Sequence, residues 1–329
     1  MKNYIFRLLL CSVLSITMMM VVSCQRGNRA HKDGNIEILR FDKLLFDTPA
    51  NQLQERLSKE YGTFSCPLLN VCPDDANYMN QVLGFVQDKV MNELYDTVSR
   101  HFDKLYWLED ELTGALDRAK EADADIDITK VVAFISGWLD YDHRVAADKH
   151  TILIAIDQYI IPYTEKYAYF GLPMYIVNLS DSAYLPVDCM SAVAKQYIEK
   201  PKGDLTLLDY MIAEGKTLYF LEITLPQADE TVRLRYTDDQ LAWMRGNESN
   251  VWAYFIQGKL LYEKDFTKIH NFIDEAPKTN AFRDSAPRTA AYVGWQIVRQ
   301  YAKKTHCDLK ELFEETDAQK ILKTSGYRP

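Results

Sequence analysis

Thr206-Leu207-Leu208-Asp209-Tyr210-Met211-Ile212-Ala213-Glu214-Gly215-Lys216 is the stretch on which the fold turns. Thr206 followed three residues later by Asp209 fits a capping box, so the spacing predicts a helix starting here. Leu207, Leu208, Met211, Ile212, Leu218 and Tyr219 then form one apolar stripe, with Glu214 on its edge. Gly215 falls in the centre of that stripe. A glycine inside a helix costs roughly 1 kcal/mol against alanine, and close approach of a neighbouring element would account for it.

Further along, Thr237-Asp238-Asp239-Gln240 is again a possible capping box, and Leu241, Met244, Val251, Trp252 and Phe255 share an apolar face with Glu248 in its middle. A third apolar helix is predicted over about 289–301, carrying Tyr292, Trp295 and Arg299. Buried carboxylates are costly unless paired, so Arg299 is expected to pair with Glu248 or Glu214. Glu214, Glu248 and Arg299 together form the candidate groove or buried polar site. A helix over about 187–199 precedes them.

Working outward, residues 76–120 carry helical spacing and read as two helices, with Val82, Phe85, Val86 and Val90 along one stripe. Residues 36–41, 131–138 and 151–156 read as strands. The expected fold is α+β, a mostly helical single domain with a small sheet over residues 36–329.

The N-terminus has a different character. Lys2 and Arg7 head an apolar run from Leu8 to Val22 that ends Val21-Val22-Ser23-Cys24. That order of basic head, short apolar run and small residues reads as a secretory signal over residues 1–23. The cysteine behind it resembles a bacterial lipobox, so Cys24 is the expected lipidation site and residues 24–35 a lipid-proximal tether. The run is short of the roughly 20 apolar residues that a membrane span needs.

Removing Lys2 and Arg7 from the 38 basic residues leaves 36 against 47 acidic ones, a net charge of −11 for the 306 residues after cleavage. Such a surface repels phosphate backbones, and no nucleic-acid partner is expected. Cys66 and Cys72 lie close together, and an oxidising envelope would permit a disulfide there; the pairing of Cys66, Cys72, Cys189 and Cys307 stays open.

Motifs for chemistry are sparse. Asp123, Asp125 and Asp127 begin like a calcium loop, but Ile128 replaces the required glycine and Phe134 the closing glutamate. Asp142, His143, Asp148 and His150 make a small polar cluster with weak metal-ligand character. Tyr159, Tyr163, Tyr167, Tyr169 and Tyr175 could stack on sugar rings or close the rim of a core. There is no G-x-S-x-G, no P-loop and no G-x-G-x-x-G. No cofactor, metal or catalytic residue is assigned.

A family likeness rests on a longer series. Pro201, Leu205 to Lys216, Tyr236-Thr237, Trp243, Asn247-Glu248, Trp252, Tyr254-Phe255-Ile256, Leu260-Leu261-Tyr262, Ala276-Pro277, Gly294 to Val298 and Ser325-Gly326-Tyr327, with Arg40-Phe41-Asp42 and the lipobox, resemble the gliding-motility-associated lipoprotein family GldB of the Bacteroidetes. The sequence departs from the family pattern at Asn280–Arg288, where a longer Phe- and Ser-containing loop is usual. The resemblance implies a periplasm-facing outer-membrane lipoprotein linked to gliding or type IX secretion machinery. A more distant likeness joins Leu207-Leu208-Asp209 and Ala213-Glu214-Gly215 to the glutamate-ligand segment of helical zinc peptidases, implying a degenerate zincin-like fold. The helix over 187–199 has no histidine, whereas a catalytic zinc needs about three protein ligands. The reading is a non-catalytic lipoprotein that binds an envelope protein partner. The alternatives are a carboxylate-dependent hydrolase and a glycan-binding lipoprotein.

Overall fold

The computed structural model describes residues 34–61, 72–137, 143–160 and 171–329, with side chains from 60 and 61 excluded. The expected signal segment over residues 1–23, Cys24, all but the last two residues of the expected tether, Cys66, Asp142, Tyr163, Tyr167 and Tyr169 lie outside the described residues. Cys72 is disulfide-bonded, and Cys189 and Cys307 are free.

Strand β1 (Ile38–Arg40) leads into α1 (Phe41–Asp47) and α2 (Ala50–Tyr61). Helices α3 (Ala76–Gln87), α4 (Lys89–His101) and α5 (Tyr106–Glu121) carry the chain to β2 (Lys130–Phe134). Strands β3 (Val145–Ala147) and β4 (Thr151–Ala155) complete the sheet. Then follow α6 (Met174–Leu179), α7 (Leu185–Tyr197), α8 (Leu207–Thr224), α9 (Glu230–Leu234), α10 (Asp238–Gln257), α11 (Phe266–Ile269), α12 (Thr289–Thr305), α13 (Leu309–Glu314) and α14 (Ala318–Ser325). The fold is α+β and mostly helical, a single domain with one small sheet.

The sheet runs β1-β2-β4-β3. β1, β2 and β4 are parallel, with Ile38 opposite Val131 and Val131 opposite Ile152. β3 is an antiparallel edge. Period-two alternation sorts the side chains into two layers. Ile38, Val131, Ala133, Ile152 and Ile154 face the main core. Leu39, Val132, Phe134 and Leu153 face a smaller cluster made by Phe41, Leu44, Leu45, Leu53, Leu57, Met79 and Val82. The edge strand β1 is covered by α5: Ile36 N–H donates to Thr113 Oγ1 at 3.0 Å and Ile38 N–H to Glu109 Oε1 at 3.0 Å.

Residues 76–120 form three helices rather than two. Asp88 ends α3 in an extended conformation, and its side chain accepts hydrogen bonds from Val90 and Met91 N–H to start α4. The apolar stripe breaks there, so Val90 is 62% exposed. β3, α1, α2 and α6 are not among the elements that the sequence spacing predicts. α7 begins at Leu185, two residues early, with Pro186 in its first turn.

The expectation at Gly215 holds. Both predicted capping boxes form, Thr206 with Asp209 and Thr237 with Gln240. α8 crosses α12 backbone to backbone: a Cβ on Gly215 would lie 2.4 Å from Gly294 O, and one on Gly294 only 1.8 Å from Met211 O. Only paired glycines permit that approach.

Candidate functional site

A cleft of about 760 Å³ opens beside the other face of α8, bordered by β3, α6, α7, α9, the 273–275 segment and Arg288. Seven of its charged groups, Arg144, Asp188, Arg235, Glu275, Arg288, Glu214 and Lys195, form one chain of ion pairs. Asp188, in the first turn of α7, is buried. Its Oδ2 accepts a hydrogen bond from Tyr159 Oη at 2.5 Å and ion-pairs with Arg144 Nη2 at 2.6 Å. Its Oδ1 meets Arg235 Nη2. Arg144 is fixed further by donating to Leu179 O at 2.8 Å and by stacking 4.8 Å from the Tyr159 ring centre. Burial, reinforced by the Asp188 charge, pushes the Tyr159 phenol well up, so it stays the donor.

The chain continues through Glu275. Its Oε1 lies 3.4 Å from Arg235 Nε and 3.5 Å from Arg288 Nη1. Arg288 Nη2 then donates to Glu214 Oε2 at 2.8 Å. Glu214 Oε1 has Lys195 Nζ at 3.8 Å. Burial works to raise the Glu214 pKa, but the charges of Lys195, Arg288 and Arg235 and the Arg288 hydrogen bond outweigh it and hold the carboxyl low. Glu214 is therefore an anion at neutral pH.

Backbone geometry sets the two central arginines. Arg235 ends α9 and Arg288 precedes α12, both in the left-handed region at φ 60° and φ 48°. Non-glycine residues adopt that conformation uncommonly, and it persists where the surroundings enforce it. Before Arg288 the chain is pinned by Ser285 Oγ, which accepts from Thr279 N–H at 3.1 Å and donates to Thr279 O at 2.9 Å.

Of the sequence candidates, Glu214 lines the cleft and the other two do not. Arg299 pairs with neither Glu214 nor Glu248. Its Nε lies 3.2 Å from Glu222 Oε2, and its guanidinium stacks 4.8 Å from the Trp295 ring. The reason is geometric: Arg299 and Trp295 sit one turn apart on α12 beside Glu222, near the C-terminal end of α8 and away from Glu214. Glu248 instead accepts a hydrogen bond from Tyr327 Oη at 2.7 Å, so the chain's last aromatic residue supplies its partner.

The aspartates at 123, 125 and 127 point outward while Ala124, Ile126 and Ile128 are buried. His150 leans on Asp127, its Nδ1 3.1 Å from Asp127 O, and Asp148 caps the turn by accepting from His150 and Thr151 N–H. Among the described residues, no three His, Cys, Asp or Glu side chains are grouped so as to hold a metal.

Sequence reasoning missed Arg144, Asp188, Arg235, Glu275 and Arg288. Asp188 did leave a signal: it is a single carboxylate among Leu185, Val187, Cys189 and Met190, all buried. A charge inside an apolar run demands a partner.

The fold and the cleft define a class of protein: a mostly helical α+β domain with a short, largely parallel sheet and an ion-paired cleft against its central helix. A family model described as gliding motility protein GldB matches residues 25–329, and the chain belongs to that family. None of the curated proteins and none of the solved structures matches it, and the likeness to zinc peptidases gains no support from them. Membership makes the chain a gliding-motility-associated protein of a lipoprotein family. No helix among the described residues is long and apolar enough to cross a membrane.

Proposed function

We propose that this chain is a non-catalytic lipoprotein of the outer membrane, held by a lipid on Cys24 and facing the periplasm, whose cleft binds an envelope protein partner. One observation carries the reading: Asp188, Glu214 and Glu275 are each held by at least one cation. General acid–base work needs a carboxyl whose pKa sits near the working pH and which is free to move a proton. Glu214 is held as a low-pKa anion by Arg288 and Lys195. At the position where the resemblance to zinc peptidases implies a metal-ligating glutamate, this chain supplies cations from α7 and from the start of α12. A walled cleft in which Asp188, Glu214 and Glu275 are committed to cations suits recognition.

The test is Glu214→Gln, assayed for thermal stability and for peptide hydrolysis. In a binding protein the substitution lowers the melting temperature, because Arg288 loses a half-buried partner, at a cost of about 1–3 kcal/mol. Neither form then hydrolyses peptides. Peptide hydrolysis by the wild type, lost in a Glu214→Gln variant that melts at the wild-type temperature, would overturn the reading in favour of a hydrolase.

A further inference from the structure

We infer that the partner enters the cleft with a carboxylate-bearing peptide segment that docks on Lys195 beside the Arg235–Arg288 rim and places an apolar side chain against Phe266. This rests on the partner-binding reading above. The first support is a reversal of charge. The chain carries −9 overall, yet among the described residues the cleft lining holds five cations against four carboxylates.

The second support is where the surplus sits. Arg233 donates to Ala228 O at 2.7 Å and to Leu225 O at 3.3 Å, which commits it to the turn after α8. Arg144, Arg235 and Arg288 are nearly buried and tied to carboxylates. Lys195 differs: its side chain is 57% exposed, and its Nζ stands 3.8 Å from Glu214, beyond hydrogen-bonding distance. An ammonium group carries three donors, so Lys195 can accept an incoming carboxylate without giving up a hydrogen bond. One such carboxylate would bring the lining to neutrality.

The third support is the apolar side of the same cleft. Ile176, Ile273 and Phe266 share the lining with Lys195, and Phe266 is 49% exposed. An exposed aromatic in the same lining as a half-committed cation suits a segment that carries both an acidic and an apolar residue. The volume is that of an ordinary ligand site, so a short stretch of chain fits and a folded surface does not.

The experiment uses the full chain in detergent and fluorescence anisotropy. The probes are a fluorescein-labelled, C-terminally amidated Ala-Asp-Phe-Glu-Ala peptide and its counterpart with Asn and Gln. The acidic peptide should bind at least ten-fold more tightly, a preference that Lys195→Glu removes and that 500 mM salt weakens. Lys195→Gln, which introduces no new charge, should reduce the preference in the same direction and guards against a folding defect in Lys195→Glu. Equal binding of the two peptides, binding of neither, a preference that survives both substitutions, or tighter binding of a galacturonate oligosaccharide would each overturn the inference. A photo-crosslinker at Ile176 separates this failure from that of the parent reading. A discrete membrane partner captured equally by wild type and Lys195→Glu sinks only the acidic-segment inference, whereas no capture by either sinks both.

Discussion

Helix α8 presents two faces that are built on opposite terms. On one, Gly215 lets the α12 backbone approach so closely that no side chain could stand between them. On the other, a half-buried Glu214 faces a cleft in which charges from six segments of chain are linked in ion pairs. The first face gains by excluding everything, and its tolerance to change is set by hard-sphere contact. The second gains by pairing, and its tolerance is set by which charges are left alone when one partner goes. A single helix thus anchors the core and frames the candidate site, and damage to either face has its own signature.

The largest effect is expected on the cleft side. Asp188→Ala leaves Arg144 buried without its carboxylate, and removing one partner of a buried pair costs about 3–5 kcal/mol. Denaturant unfolding should show that loss, with part of it recovered when Arg144 is replaced by Met in the same chain. Unchanged stability in Asp188→Ala would break the claim that the cleft is held by its ion pairs. On the packed side, Gly294→Ala drives a methyl into Met211 O, and a loss of about 3 kcal/mol, the upper end of overpacking penalties, is expected in the same assay. A melting temperature equal to the wild type would mean that the two helices separate more easily than their contact implies.

Lys216 sharpens the contrast, since it is a charge on α8 outside the cleft. It is buried, and its Nζ donates to Glu315 O at 2.5 Å. Desolvation lowers its pKa to about 8, against the smaller opposing charges of Glu315 and Glu199. A lysine whose folded pKa is depressed binds fewer protons folded than unfolded between pH 8 and its ordinary 10.5, so its penalty is full below pH 8 and fades as pH rises to 10.5. Lys216→Met removes that penalty. Its stability relative to wild type should therefore decline by about 3 kcal/mol across this window, and a pH-independent difference would contradict the assignment. The smallest effect belongs to Arg299→Met. Its pair with Glu222 is 44% and 28% exposed, and such pairs contribute about 0–1 kcal/mol. A larger fall in melting temperature would contradict the assignment of Arg299 to a half-exposed pair with Glu222.

The same contrast explains what was legible in the sequence. The packed face of α8 could be read because its information is local: a capping box three residues wide, an apolar stripe at helical spacing, and a glycine where the stripe is deepest. The strands over 131–134 and 151–154 could be read from their short apolar runs, but those runs are buried on both faces and carry no alternation that would show the two layers. The cleft could not, because its partners come from distant segments. Asp188 meets Arg144 and Arg235, and Glu214 meets Arg288, across spans with no period to announce them. Glu214 stands out by its place on the stripe's edge, but the visible apolar helix points to Arg299 as its partner, whereas the residue that pairs with it is Arg288, in the turn before that helix. The three-helix division of residues 76–121 was hidden for a related reason: Asp88 ends one helix and starts the next with no glycine or proline to mark the break.

The most direct test of the central claim places a photo-crosslinking residue at Ile176, inside the cleft, and separately at Val90, which is 62% exposed and lines no part of it. Both variants are expressed in the native cell, and crosslinked proteins are recovered from the outer membrane and identified by mass. The account predicts a discrete protein captured from Ile176, absent from Val90, and lost when Arg288→Glu is introduced into a chain that still folds. The same products from both positions, or none from Ile176, would contradict a partner-binding cleft.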